Sequence, residues 1–493
     1  MTLTEELSAW AAGVRFGDVP GDVVEVAKLQ ILSQCAAIRY GAAHPLGRRL
    51  VAGFGEPLQQ DSRRSAYVLA GLGSWLHFDD TAYAGHLSNS TVAVPMAYAA
   101  GQRLDGAGLL TSVVVATECA ARVTAAVTLG PFRGQTAAHT HVAGAVAGRL
   151  RGAGVPAELW ANAFGLGLGL PPRTVIAGFL GGDSKVFSAS TPVAVGLDAC
   201  DAAEAGFTGC RDLLENPDGF LRAFAELPLP EAVTECLGER WHTRTTSFKV
   251  HPGGPGMDTA VDCGIELYRE LGAVRAGDIE SVEVATSLYT ALVARWAQER
   301  MCGPDSPVGA LVFALPYLLA TTLLTGELTV ADFTAPALEE PERWELADRV
   351  RIVLDEQMTY DLFHNLVPFG QGLRQAGDRA AEWLAEFGAR WEGDGRWLVD
   401  LVGELPPPSR DFRGVRKVTP SRVTVRLRDG RSATRQQDVP VGGVGATGGT
   451  PTAALVREKF LGAGGSKEVA DRIAELERVP AEEIPGLLRA ALA

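Results

Sequence analysis

Ile279-Glu280-Ser281-Val282-Glu283-Val284-Ala285-Thr286 alternates apolar and polar side chains, the pattern of a half-buried strand. This stretch decides the fold class, because nearly everything before it reads as helix. Ala-rich segments at 23–43, 91–103, 106–128, 141–152 and 191–205 carry small side chains that let helices pack closely. Asp201 and Glu204 precede Gly206-Phe207-Thr208-Gly209, a glycine stop. After about residue 262 the character changes. Residues 350–354 and 423–427 repeat the strand pattern, and the second is followed by the turn Arg428-Asp429-Gly430 and a returning run. A helix over 308–324 lies among these strands, and from Thr452 onward the chain is helical again and packs back onto its first half. The fold class expected is mainly α, with a large all-helical domain (1–262 plus 450–493) and a smaller α+β domain (263–449). Within the second, a Trp-, Gly- and Pro-rich stretch at about 361–419, with its own helix at 376–391, reads as an insertion.

Bulk composition narrows the function. At 493 residues, 46% hydrophobic and 21% charged, the chain is globular and long enough for two or three domains. Its net charge is −14 and it shows no basic stripe, which excludes nucleic acid as a partner. An acidic protein that handles an acidic substrate must build a local cationic pocket against its own field. The seven cysteines are scattered, with no CxxC, as in a reducing compartment. Residues 1–16 do not form a signal peptide, and the apolar run 109–127 contains Glu118 and Arg122, so it reads as a buried helix with an internal ion pair rather than a membrane span. A cytoplasmic protein is expected. The run Val441-Gly442-Gly443-Val444-Gly445-Ala446-Thr447-Gly448-Gly449 lacks a following GK[ST] and a βαβ setting, so it reads as a mobile loop and not a phosphate cradle.

Chemistry concentrates in His77-Phe78-Asp79-Asp80-Thr81 and His86-Leu87-Ser88, with Tyr83 between them. Two of the chain's eight histidines stand here beside two carboxylates, the mixture that acid/base work needs; a helix cap would use the same residues. Arginine outnumbers lysine 39 to six, so each lysine (28, 185, 249, 417, 459, 467) poses a question. Lys185 in Gly182-Asp183-Ser184-Lys185 and Lys249 in Phe248-Lys249-Val250-His251 are candidate carboxylate binders or bases; the bland reading is solvated lysines. In His139-Thr140-His141 a third metal ligand is missing, so hydrogen bonding or acid/base work is favoured over a metal. No GxSxG, HExxH or nucleotide fingerprint occurs.

Taken in order, HFDDT…HLS (77–88), HTHVAGAVAG (139–148), DSKVF (183–187), GFTGCRDLLENPDGF (206–220), LGERW…FKVHP (237–252) and VTVRLRDG…GTPT…REKF resemble the MmgE/PrpD family over nearly the whole chain. The resemblance implies an all-helical domain built from both termini, a smaller α+β lid, a homodimer, an inter-domain cleft and no cofactor. It carries Asp80, Thr81, His86, Lys185 and Lys249 onto family site positions. The chain departs from the family pattern elsewhere: His77 replaces an acid, Leu87 a proline, Ala138 a histidine with His139 displaced by one, and Gly254 and Met257 stand where histidine is frequent.

The function expected is a cofactor-independent lyase or isomerase (a dehydratase, decarboxylase or epimerase) acting on a small di- or tricarboxylic acid. Lys185 and Lys249 would hold carboxylates, and His86, oriented by Asp80, would move a proton α to the acid, with Thr81 beside them and Tyr83, His77 and His139 in reserve. The alternative is the same scaffold serving secondary metabolism as an isomerase or cyclase of a larger, less charged ligand. A non-catalytic binding protein is the third reading.

Overall fold

The computed structural model describes residues 1–83, 85–130 and 139–493. The chain is mainly α. At its centre runs the helix Gly106–Ala126, started by the Asp105 carboxylate accepting from Gly108 N at 2.7 Å. By length and composition this helix could cross a membrane, but its apolar window is wholly buried inside the protein. The Glu118–Arg122 pair lies in its middle, Nε to Oε2 3.5 Å, with both side chains out of contact with water. Arg122 donates to the carbonyls of Glu235 (3.0 Å) and Arg240 (2.8 Å), while Glu118 accepts from the backbone of His242 (3.1 Å) and Thr243 (2.7 Å). The pair thus bolts the segment leading to Lys249 onto the core helix.

Helices Gly21–Ala43 and Thr140–Ala153 pack on the central one; Ser62–Ser74 packs in turn on Gly21–Ala43, and Phe187–Glu204 on Thr140–Ala153. The small side chains do what the sequence suggests: a Cβ on Gly196 would stand 2.8 Å from both Ala145 Cβ and Val142 O. The last helices, from Thr452–Gly462 to Ile484–Leu492, return onto Gly21–Ala43.

Two sheets are present among the described residues. One is tiny: β1 (Asp80–Thr81) pairs antiparallel with β2 (Ser247–Phe248), Asp80 opposite Phe248 and Thr81 opposite Ser247. The other has the order β4-β3-β5-β6, where β3 is Ile279–Thr286, β4 Val350–Leu354, β5 Ser421–Leu427 and β6 Ser432–Gln437. β3 runs parallel to β4 and antiparallel to β5, and β5 turns into β6 at Arg428–Arg431 with Gly430 at φ +91°. The helix Asp258–Leu271 packs on β5 and β6 and spans the boundary drawn after residue 262.

Three elements differ from expectation, and the first is the helix expected over 91–103, which runs only over Ala93–Tyr98. The helix expected over 308–324 is two, Val308–Leu311 and Leu315–Thr325, because Pro316 offers no N–H to a helix continuing from the first and is accepted in the first turn of the second. The helix expected at 376–391 is shorter, Ala380–Ala389. Its region is built around Phe363, Phe369, Trp383 and Phe387, the last two rings stacked at 4.8 Å. It also grips the helical body, since Arg240 donates to Ser409 O at 2.8 Å and Gln375 to Glu235 at 2.8 Å.

Candidate active site

The pairing of β1 with β2 creates the site. It lays the Asp79–Thr81 run beside Lys249, whose own N–H donates to Asp79 O at 3.2 Å. The glycine-rich run seals the other edge: Phe248 N donates to Gly442 O at 2.9 Å, and a Cβ on Gly442 would meet Phe248 O at 2.2 Å. Val441 N binds Asp262 and Val444 N binds Ser247 Oγ, so the first half of that run is tied down rather than a loose loop.

β1 begins at Asp80 and the chain bends at Asp79 just before it, and the two carboxylates part there. Asp79 turns to His86, Oδ1 accepting from Nδ1 at 2.8 Å, and its Oδ2 accepts from Asn89 at 2.6 Å. Asp80 turns the other way and accepts from Ser88 N (2.9 Å), Ser88 Oγ (2.7 Å) and Gln30 (2.7 Å). The residue orienting His86 is therefore Asp79, not Asp80. Asp80 holds the start of the next helix, and its carboxyl is raised by burial and by the charge of Asp79. Burial pushes Asp79 upward too, but the charge and hydrogen bond of His86, with Lys185 beyond, hold it below its ordinary value.

The chain of groups continues. His86 Nε2 lies 2.7 Å from His77 Nδ1, which makes a carboxylate–imidazole–imidazole line from Asp79 to His77. With Asp79 accepting, His86 carries its proton on Nδ1, so the neutral pair needs His77 to donate from Nδ1. His77 has left-handed backbone, φ 47°, after the helix Ser62–Ser74. Its ring meets Phe313 and Phe179 edge-on at 4.8 and 5.9 Å, and its Nε2 has no hydrogen-bond partner among the described residues. Burial, reinforced by Lys185, lowers its basicity. His86 is the more open of the two, its side chain 16% exposed.

Five of the six lysines are buried, all but Lys467. Lys185 donates to Ser74 O at 3.0 Å and sits 4.6 Å from the Phe179 ring centre; burial brings it down to about 7 against the pull of Asp79. Lys249 donates to Asp258 at 3.0 Å and to Gly253 O. Lys417 donates to Thr81 Oγ1 at 3.1 Å and lies 4.0 Å from Asp258. Lys459 donates to Ser33 Oγ at 2.9 Å and to Phe78 O, and burial brings it to about 7. Four buried ammonium groups thus surround Asp79, Asp80 and Asp258 in a chain of net charge −14.

Other candidates lie elsewhere. Tyr83 donates to or accepts from His242 Nδ1 at 2.9 Å beside Arg122 and Arg240, on the structural ion-pair network. His139 sits between Phe220 and Phe224, 5.4 Å from each. His141 lies 3.1 Å from Ser90 Oγ, and burial first, with the charge of His86 behind it, lowers its pKa to about 3. Ala138 lies outside the described residues. Sequence reasoning passed over the roles of Asp79 and Asp258; Lys417 and Lys459 were visible only as two of six scarce lysines. A cleft of about 890 Å³, lined by His251, Asp262, Arg416, Glu458 and Lys459 among others, opens behind Lys459.

Residues 5–231 match the MmgE/PrpD N-terminal domain and residues 251–387 the MmgE/PrpD C-terminal domain. The chain belongs to the MmgE/PrpD family. It is similar to the cis-aconitate decarboxylase of Aspergillus terreus, 24% identical over 404 residues, 73% of this chain and 80% of that protein. It is also similar to the cis-aconitate decarboxylase-like protein oryM of Aspergillus oryzae, 25% identical over 396 residues, 71% and 79% of the two chains.

Proposed function

We propose that this protein is a lyase or isomerase of a small di- or tricarboxylic acid, working by proton transfer at the carbon next to a carboxylate. The observation that carries this reading is the Asp79–His86–His77 line set against buried lysines in an acidic chain. Lys185 spends one hydrogen bond on the protein among the described residues, so its remaining donors suit a substrate carboxylate. His86, its proton fixed by Asp79, exchanges a proton with the substrate carbon when its Nε2 leaves His77. The lysines hold the charge that builds on the carboxylate as that carbon gains electron density. In a decarboxylation the bond to CO₂ breaks, its electron pair stays on carbon, and the imidazole pair returns a proton there. Dehydration and epimerisation use the same proton step with a different leaving group. The decarboxylase branch has the support of the relatives' names. In this reading the sheet unit is a lid over the helical body, and the working molecule is a cytoplasmic homodimer.

A second reading, a larger and less charged substrate, draws on one observation. Gly254 leaves its place to Phe313, and the Phe179–Phe313 pair gives the site an apolar wall against His77. Incubation with cis-aconitate, citrate, 2-methylcitrate and C4 dicarboxylates, followed by proton NMR and CO₂ capture, tests the first reading. Conversion of any of them supports it; no conversion, together with no thermal stabilisation by any of these acids, overturns it in favour of the second.

A further inference from the structure

Lys249 is already occupied. Its ammonium donates to Asp258 at 3.0 Å (Oδ1) and 3.4 Å (Oδ2) and to the Gly253 carbonyl, so each of its three donors has a protein acceptor. Across the same aspartate stands Lys417, 4.0 Å from Oδ2, with Thr81 Oγ1 at 3.1 Å as its hydrogen bond to the protein among the described residues. Two lysines share one carboxylate, so one positive charge at this spot is left without a protein counter-ion. Lys417, Lys249 and Asp258 are all nearly inaccessible to water. A buried charge without a partner is costly, and an ammonium has three protons to give. Thr81, which accepts from Lys417, keeps its own hydroxyl proton to donate.

The position of Lys417 is built by the chain's least regular segment. Its backbone N–H donates to Val444 O at 2.9 Å and it bridges to Val367, so residues on both flanks fix where the side chain enters. It lies beyond the stretch matched to the family's C-terminal domain, which ends at 387. Lys249 donates its backbone N–H to Asp79 O at 3.2 Å and its ammonium to Asp258 at 3.0 Å, which links the residue that holds His86 to the carboxylate beside Lys417.

We propose that Lys417 and Thr81 form a second carboxylate subsite, separate from Lys185, that selects acids carrying at least two carboxylates. One carboxylate docks on the Lys417 ammonium and the Thr81 hydroxyl, the other near Lys185, and the carbon between them is presented to His86. Lys249 is then a positioning residue that holds Asp258, while Lys417 binds the ligand. This assignment rests on the carboxylic-acid reading above.

The test is calorimetric binding of propane-1,2,3-tricarboxylate, succinate and acetate to the full-length protein and to its Lys417→Met and Lys417→Gln variants. Each variant is also melted without ligand. Removing an uncompensated buried charge leaves the ligand-free melting temperature unchanged or raises it, whereas a merely structural lysine would lower it. The tricarboxylate and succinate are expected to bind both variants at least tenfold more weakly, with acetate unaffected. Wild-type affinity for succinate in a folded variant overturns the subsite alone. Failure of the wild type to bind any of the three acids overturns both the subsite and the carboxylic-acid reading. If Lys417→Met does not fold, the glutamine variant, which keeps a donor toward Thr81, decides between these outcomes.

Discussion

Replacing Asp79 by asparagine keeps the shape of the side chain and removes its charge, and the neighbours make the consequence specific. Oδ1 accepts from His86 at 2.8 Å and Oδ2 from Asn89 at 2.6 Å, while Asn89 uses its own oxygen to accept from Gln34 at 2.9 Å. The new amide must therefore turn its NH₂ toward one of two donors. Facing Asn89, it leaves a buried donor pair unsatisfied. Facing His86, it forces the imidazole proton from Nδ1 to Nε2, against His77. A hydrogen bond to a charged group is worth about 1.5–3 kcal/mol. Losing it slows any step that passes through the His86 imidazolium by about one to two powers of ten, and tautomer reversal deepens the loss. Nitrogen-15 NMR of labelled histidine reads the tautomer directly, with no substrate. The wild type is expected to show His86 protonated on Nδ1, and Asp79→Asn to show Nε2–H or a mixture. An unchanged tautomer in the variant, with unchanged turnover, would refute the role given to Asp79.

Other consequences follow from the same contacts. Arg122→Met leaves Glu118 charged and buried at 3.5 Å from an apolar chain; a loss of about 3–5 kcal/mol is expected in urea denaturation, and a change under 1 kcal/mol would contradict the bolt described for this pair. Gly254→Ala puts a methyl 1.9 Å from the Phe313 ring and should cost about 1–3 kcal/mol as overpacking. Combined with Phe313→Ala the two changes should couple by more than about 1 kcal/mol in a double-mutant cycle, whereas additivity would show that they do not meet. Lys185 and Lys459 have folded values near 7, far below free lysine, so between about pH 7 and 10 the unfolded chain binds more protons than the folded one. Stability should therefore rise with pH across that window, and less steeply in Lys185→Met. Tricarboxylate affinity should fall over the same range as Lys185 loses its proton; affinity constant from pH 6 to 9 would remove Lys185 from the binding site.

Where a residue's surroundings are local, the sequence was a sufficient guide. The alternation at Ile279–Thr286 is the strand β3 to the residue, and Glu118 with Arg122 forms the buried pair its spacing suggests. Lysine scarcity posed a question that it could not answer, and the structure answers it with burial: Lys28, Lys185, Lys249, Lys417 and Lys459 are all inside. What stayed hidden depends on register and distant contact. Asp79 and Asp80 are neighbours with the same side chain, and only the two-residue pairing of β1 with β2 decides which one meets His86. Lys417 reaches Thr81 across 336 residues, and nothing in its own neighbourhood marks it. Tyr83 and His242 show the converse: chemistry-bearing types close to the motif in sequence are spent on a structural network.

The central claim is that His86, held by Asp79 and capped by His77, moves a proton on a carbon next to a carboxylate. Proton NMR of cis-aconitate, citrate and succinate in D₂O with the enzyme tests it most directly, because an imidazole that has exchanged with solvent delivers deuterium to the carbon it protonates. Deuterium should enter one of these acids next to a carboxylate with the wild type, at a rate lost in His86→Asn. Incorporation that persists unchanged in His86→Asn, or no incorporation by a folded wild type that binds the acid, would contradict the account.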